Sequence, residues 1–236
     1  MNEHIVRSYD QELELLDKKI AQMGGQVEQL LARGFDALER RDPQLAEGIV
    51  AEDRKVDALE GEIQDLTIQM IARRQPMAID LRHIMTVLKI AGDLERIGDL
   101  AKNIAKRALA VSGENHPKPL MTGLKHMVEL AMGQLHDVLD AYAERDPDKA
   151  LTVWRHDERI DDMYNSLFRE LLTYMMEDPR NIGLCTHLLF GAKNIERIGD
   201  HTTNIAENIY YLVHGRALID DRPKSDDTSS TLIRKD

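Results

Sequence analysis

Two stretches of the chain, "LERIGDLAKNIA" at 94–105 and "IERIGDHTTNIA" at 195–206, share the pentapeptide ERIGD. What recurs is mainly polar: Glu95, Arg96, Asp99 and Asn103 in the first copy, Glu196, Arg197, Asp200 and Asn204 in the second. Residues at i, i+4 and i+8 form a row along one face of a helix. Two further acid pairs have the same spacing, Asp53 and Asp57 in "EDRKVD" and Asp157 and Asp161 in "HDERID". A hairpin turning near residue 75 sets Asp57 level with Glu95 and Asp53 level with Asp99. A second, turning near 178, sets Asp161 level with Glu196 and Asp157 level with Asp200. Four carboxylates at one level repel unless positive charge sits among them. One answer is a salt-bridged surface using Arg96 and Arg197. The other is a cation, and an all-carboxylate set suits hard ions such as Mg²⁺, Ca²⁺, Mn²⁺ or Fe³⁺. A solvated face exchanges Glu for Lys or Gln at little cost. Retention of these acids in two otherwise diverged halves therefore favours the cation. Asn103 and Asn204 are candidate supporting ligands.

The elements that must carry these acids are helices. Apolar residues recur in steps of three and four, as in Leu13, Leu16, Ile20, Met23, Val27 and Leu30, which marks one stripe of a long helix. Six such stripes predict helices near 3–40, 43–74, 77–111, 118–144, 147–176 and 180–214. Asp42-Pro43 and Asp146-Pro147 read as starts, an N-capping Asp followed by Pro in the first helical position. "SGENHPKP" at 112–119 is the one clear linker. On a helical wheel the row Glu95–Asp99–Asn103 lies opposite its helix's apolar stripe, as does Glu196–Asp200–Asn204. The earlier acid pairs border theirs. The chain is thus read as all-α, two tandem, pseudo-symmetric three-helix bundles of six long antiparallel helices, offset by 101–104 residues. The expected division is 1–112, 118–215 and a disordered polar tail at 216–236.

Composition narrows the function. Hydrophobic residues make up 42% of the 236, charged residues 31% and aromatics only 4%, a mix that favours helix over sheet. A formal net charge of −11 argues against nucleic acid, which needs clustered Lys and Arg. Cys185 is the single cysteine, so no internal disulfide forms, and its apolar neighbours give it a packing role. No apolar run approaches the ~18 residues that span a bilayer, and the acidic N-terminus does not read as a signal peptide.

The paired acid motifs, duplicated over nearly the whole chain, closely resemble the PhoU family. "DRKVD" with "ERIGDLAKNIA", then "DERID" with "ERIGDHTTNIAENI", are similar to its signature stretches. The resemblance implies a cytoplasmic, often dimeric, all-helical protein, peripheral at the membrane only through partners. It implies a negative regulator of the phosphate-starvation response that also restrains phosphate uptake. The implied partners are the phosphate ABC transporter, through its ATPase subunit, and a membrane sensor histidine kinase. Some members carry multinuclear metal clusters on the acid rows. That carries over to Asp53, Asp57, Glu95 and Asp99, and to Asp157, Asp161, Glu196 and Asp200, with Fe, Mn, Mg, Zn and Ca all open.

Two rival readings remain. One is a carboxylate-bridged, ferritin-like metal enzyme. Those enzymes use Glu-x-x-His, and no histidine here has Glu three residues before it. No P-loop, dinucleotide turn or nucleophile elbow appears either, so no catalytic residue is assigned. The other is an adaptor whose acid rows bind basic partner surfaces without metal. His201, beside Asp200, reads as a surface or packing residue.

Overall fold

The computed structural model describes residues 2–114 and 117–219. Among them there is no strand, and the helices run in the order α1 (Asn2–Arg40), α2 (Pro43–Glu52), α3 (Arg54–Arg74), α4 (Ala78–Val111), α5 (Lys118–Glu144), α6 (Pro147–Arg155), α7 (Glu158–Glu177) and α8 (Ile182–His214). A 3₁₀ turn at Pro179–Asn181 leads into α8. The expected tail falls beyond residue 219 for most of its length and so lies outside the described residues.

Both Asp-Pro corners are built alike. Arg41 and Arg145 take left-handed φ values of 57° and 55°. The following amides then reach back to Ala37 O (3.0 Å, from Asp42) and Ala141 O (2.9 Å, from Asp146), a Schellman-type close. Asp42 next accepts from Leu45 N at 3.0 Å, and Asp146 accepts from Asp148 N and Lys149 N at 2.9 and 3.0 Å. Pro43 and Pro147 occupy the first helical turn, where the missing N–H costs nothing.

One expectation is corrected. The second helix of each half is not continuous: the chain breaks at Asp53, between α2 and α3, and at His156–Asp157, between α6 and α7. The turn tightens at both points, with Val56 N donating to Asp53 O at 2.8 Å and Ile160 N to Asp157 O at 2.9 Å. At the second break the His156 carbonyl accepts both from Arg159 N at 3.2 Å and from the Gln134 side chain of α5 at 3.0 Å.

The long helices α4 and α8 pack against each other and run antiparallel. Asp93 meets His201 and Asn204, while further along Arg107 lies 5.1 Å from the Phe190 ring. Helices α1 and α5 also pair antiparallel, through Asp17–Arg145, Glu28–His136 and Glu39–Lys125. These four helices form the middle of the molecule, with α2/α3 and α6/α7 on its flanks. The fully buried side chains join in one continuous core that includes Leu16, Ile20, Ile90, Leu94, Leu135 and Ile198.

Candidate carboxylate clusters

Each bend exists where a flanking helix meets an ERIGD segment. Asp53 and Asp157 occupy the N-cap positions of α3 and α7, yet neither side chain caps its own helix. Each lies against the glycine of ERIGD instead. A Cβ at Gly98 would stand 3.5 Å from Asp53 Oδ1, and one at Gly199 would stand 3.1 Å from Asp157 Oδ1. The glycine lets an aspartate approach a helix backbone closely. The antiparallel pairing of α4 and α8 then sets the two ERIGD segments abreast, one cluster on each flank.

The acids are buried more deeply than the helical wheel implied. Asp53 is 2% exposed, Asp157 1%, Asp161 3% and Glu196 4%. Asp99 and Asp200 are half-buried, and Asp57 lies on the surface. In the first half the Lys102 ammonium bonds Asp53 Oδ2 and, at 2.5 Å, Asp99 Oδ1. Burial holds the Asp53 carboxyl above its ordinary value, and the Lys102 ammonium opposes that shift. Burial disfavours the charged form of Lys102, but its bonds to Asp53 and Asp99 outweigh this and push it well above the lysine range. Glu95 stands at the edge; burial and then the charge of Asp99 raise its carboxyl.

In the second half burial pushes Glu196 up to about 7, against the pull of Lys193. Lys193 Nζ lies 2.9 Å from Glu196 Oε1. The other oxygen, Oε2, is buried with no hydrogen-bond partner. Asp161 and Asp200 add their negative charge to Glu196. Thr203, which stands where the first copy has Lys102, donates its hydroxyl to the Asp200 carbonyl at 2.8 Å.

The structure thus brings Asp53 and Asp99 together as the hairpin geometry predicted, and brings Asp161 and Asp200 within electrostatic range of Glu196. The arginines of the salt-bridged alternative do not balance them. Arg96 and Arg197 are exposed, and Arg96 reaches only to 3.5 Å from its neighbour Glu95. Lys102 and Lys193 supply the charge. Asn204 faces Asp93 across the α4–α8 contact at 3.4 Å, and His201 Nδ1 meets Asp93 at 3.0 Å, so both belong to helix packing. Cys185 is fully buried, and burial raises its thiol. Among the described residues, no three His, Cys, Asp or Glu side chains converge into a ready metal-holding group. No described helix is long and apolar enough to cross a membrane. The sequence reading missed Gly98, Gly199, Lys102 and Lys193. The Lys102/Thr203 difference between otherwise similar copies was the available signal.

A protein-family model described as the PhoU domain matches residues 20–108 and again 124–209. The chain is 55% identical over 229 residues to the phosphate-specific transport system accessory protein PhoU homolog of Rhizobium meliloti, covering 97% of this chain and 96% of that one. It is 40% identical over 216 residues to the phosphate-specific transport system accessory protein PhoU of Escherichia coli K12, covering 92% and 89%. The crystal structure of PhoU from Pseudomonas aeruginosa superposes with a TM-score of 0.85 at 38% identity, over 88% of this chain and 100% of that one. The PhoU crystal structure from Streptococcus pneumoniae gives 0.83 at 28% identity, over 89% and 99%.

Proposed function

The chain belongs to the PhoU family, and from that premise we propose that it is a cytoplasmic negative regulator of the phosphate-starvation response. A role in regulating phosphate transport is supported by its relatives, which are named phosphate-specific transport system accessory proteins, and by the Streptococcus pneumoniae structure, described as a phosphate transport system regulatory protein. In the finer reading it restrains phosphate uptake and works as a homodimeric adaptor between the transporter's ATPase subunit and a membrane sensor histidine kinase. The observation that carries this reading is the double match of the family domain to two halves whose ERIGD segments stand abreast at the centre of the molecule. Asp53 and Asp157 are built into helix junctions, and their ERIGD partners lie within the two central helices, as recognition or structural elements would.

Metal binding belongs to the same proposal. Asp157, Asp161, Glu196 and Asp200 are the acids that would hold a hard cation, since Glu196 offers a buried oxygen with no hydrogen-bond partner. Lys193, 37% exposed, would swing outward to admit it. When bound, the ion would supply charge neutralisation between α7 and α8. The ferritin-like enzyme reading is weaker, because no Glu-x-x-His pair projects into the core.

Deletion of the gene tests the regulatory role. Phosphate-starvation genes should switch on in phosphate-rich medium and fall silent again when the intact gene is restored. A reporter that stays repressed in the deletion strain counts against it. Crosslinking to the ATPase subunit and to the sensor kinase in membranes tests the adaptor role.

A further inference from the structure

The two acid clusters are not equivalent: Lys102 of the first has Thr203 as its counterpart, and Lys193 of the second, which among the bonds described above reaches only Glu196, the counterpart of the rim acid Glu95, has Gly92. Lys102 is three residues beyond Asp99 on α4, so its ammonium folds back over the same turn. There it meets Asp99 from its own helix and Asp53 from the α2–α3 bend. A bridging metal ion would hold that same relation to the two carboxylates. Lys102 is 20% exposed, and the Asp53 side chain it bonds is 3% exposed. In the second copy the matching position is Thr203, a neutral residue whose hydroxyl turns back to its own helix.

We propose that Lys102 is a tethered cation that fills the first carboxylate cluster, so that no metal ion enters between Asp53 and Asp99 while Lys102 is present. A metal ion entering there would have to displace the ammonium and leave it half-buried without its partners, which is unfavourable. The lysine is attached to the chain, so it is present at any metal concentration. Removing it leaves Asp53 with one oxygen, Oδ1, that is buried and already without a hydrogen-bond partner, and a second newly released. Asp99 faces them, with Glu95 and Asp57 at the rim. The first half is then held together independently of metal supply, and metal sensitivity is confined to the second half. This rests on the metal reading above only for the choice of probe.

The experiment is a count of Mn²⁺ bound per chain, by elemental analysis after dialysis and by calorimetric titration. It uses the full-length wild type, Lys102→Thr, which copies the second half, and Lys102→Arg, which keeps the charge. Lys102→Thr should bind one more ion per chain than wild type, and Asp99→Asn added to it should abolish that gain. Lys102→Arg should match wild type. If circular dichroism shows that Lys102→Thr does not fold, Lys102→Gln, closer in length to lysine, takes its place. Equal counts in wild type and the neutral variant, whether zero or more, overturn the proposal. The metal reading for the second half is decided separately, by whether wild type binds Mn²⁺ and Asp200→Asn loses it. Either result can occur without the other.

Discussion

Arg145, the residue that turns the chain out of α5, reaches across to α1 and places Nη2 2.9 Å from Oδ2 and 3.0 Å from Oδ1 of Asp17. The same carboxylate receives the Tyr142 hydroxyl at 2.5 Å, and His83 Nε2 of α4 lies 2.8 Å away. One aspartate thus joins three helices from both halves.

This network predicts acid sensitivity. Burial raises the Asp17 carboxyl, but the hydrogen bonds from His83 and Tyr142 and the charge of Arg145 bring it below the ordinary aspartate value. A group whose folded value is depressed stabilises fully above its unfolded value, near pH 4, and loses that contribution as pH falls through the folded value. Asp17→Asn should cost about 1 kcal/mol at pH 7, a figure kept small because the side chain is 36% exposed. Below about pH 4 the variant's stability should fall less steeply than the wild type's. Urea melts at pH 7 and at pH 3 check both statements.

The two ERIGD glycines should respond differently to alanine. Alanine gains about 1 kcal/mol over glycine in a helix, against about 1–3 kcal/mol for crowding a packed site. At Gly199 the new methyl meets Asp157 Oδ1 and Ile160 Cδ1, both at 3.1 Å, whereas at Gly98 the nearest atoms are at 3.3 and 3.5 Å. Gly199→Ala should destabilise by about 1 kcal/mol. Gly98→Ala should fall within about 0.5 kcal/mol of wild type. Denaturant midpoints for the two variants provide the comparison.

The corner caps should count in both halves. Asp42→Ala and Asp146→Ala should each cost about 1 kcal/mol. Asp146 should cost the more, because it accepts two backbone N–H bonds to the one at Asp42. Thermal melts of the two single variants and the double variant check this, and the costs should add because the sites share no partner.

Metal removal gives a further test. If the second cluster binds Mn²⁺, a concentration a hundredfold above Kd should stabilise wild type by about 2.7 kcal/mol relative to chelated protein. Asp200→Asn should lose that gain while keeping its helical circular dichroism, since packed apolar faces supply most helix stability. A wild type that melts identically with and without chelator would leave the adaptor role standing without metal.

Much of this was legible in the sequence. Asp-Pro corners announce themselves because capping and proline chemistry are local. The stripes ending at Arg40, Glu144 and His214 were readable because apolar spacing follows the helix period. The bends at Asp53 and Asp157 were not, since neither segment contains Gly or Pro at the break; contact with a glycine some 40 residues away sets them. The acid rows were misplaced for a related reason. A helical wheel assumes one buried face, but α4 and α8 are covered on several sides, so a polar row there must be buried against something. The choice of Lys102 over Arg96 as counter-charge depends on which side of α4 the bend approaches, and spacing alone does not encode that.

The contact of Asp93 with His201 and Asn204 has a mechanical consequence. The two ERIGD segments stay abreast only while α4 and α8 hold their register, and apolar ridges alone would tolerate a slide by one turn. Such a slide would carry the segments about 5.4 Å apart along the axis and draw both acid clusters off the bends that complete them. A directional polar contact within the α4–α8 interface therefore acts as a registration pin. It fixes the heights of two sites it does not touch.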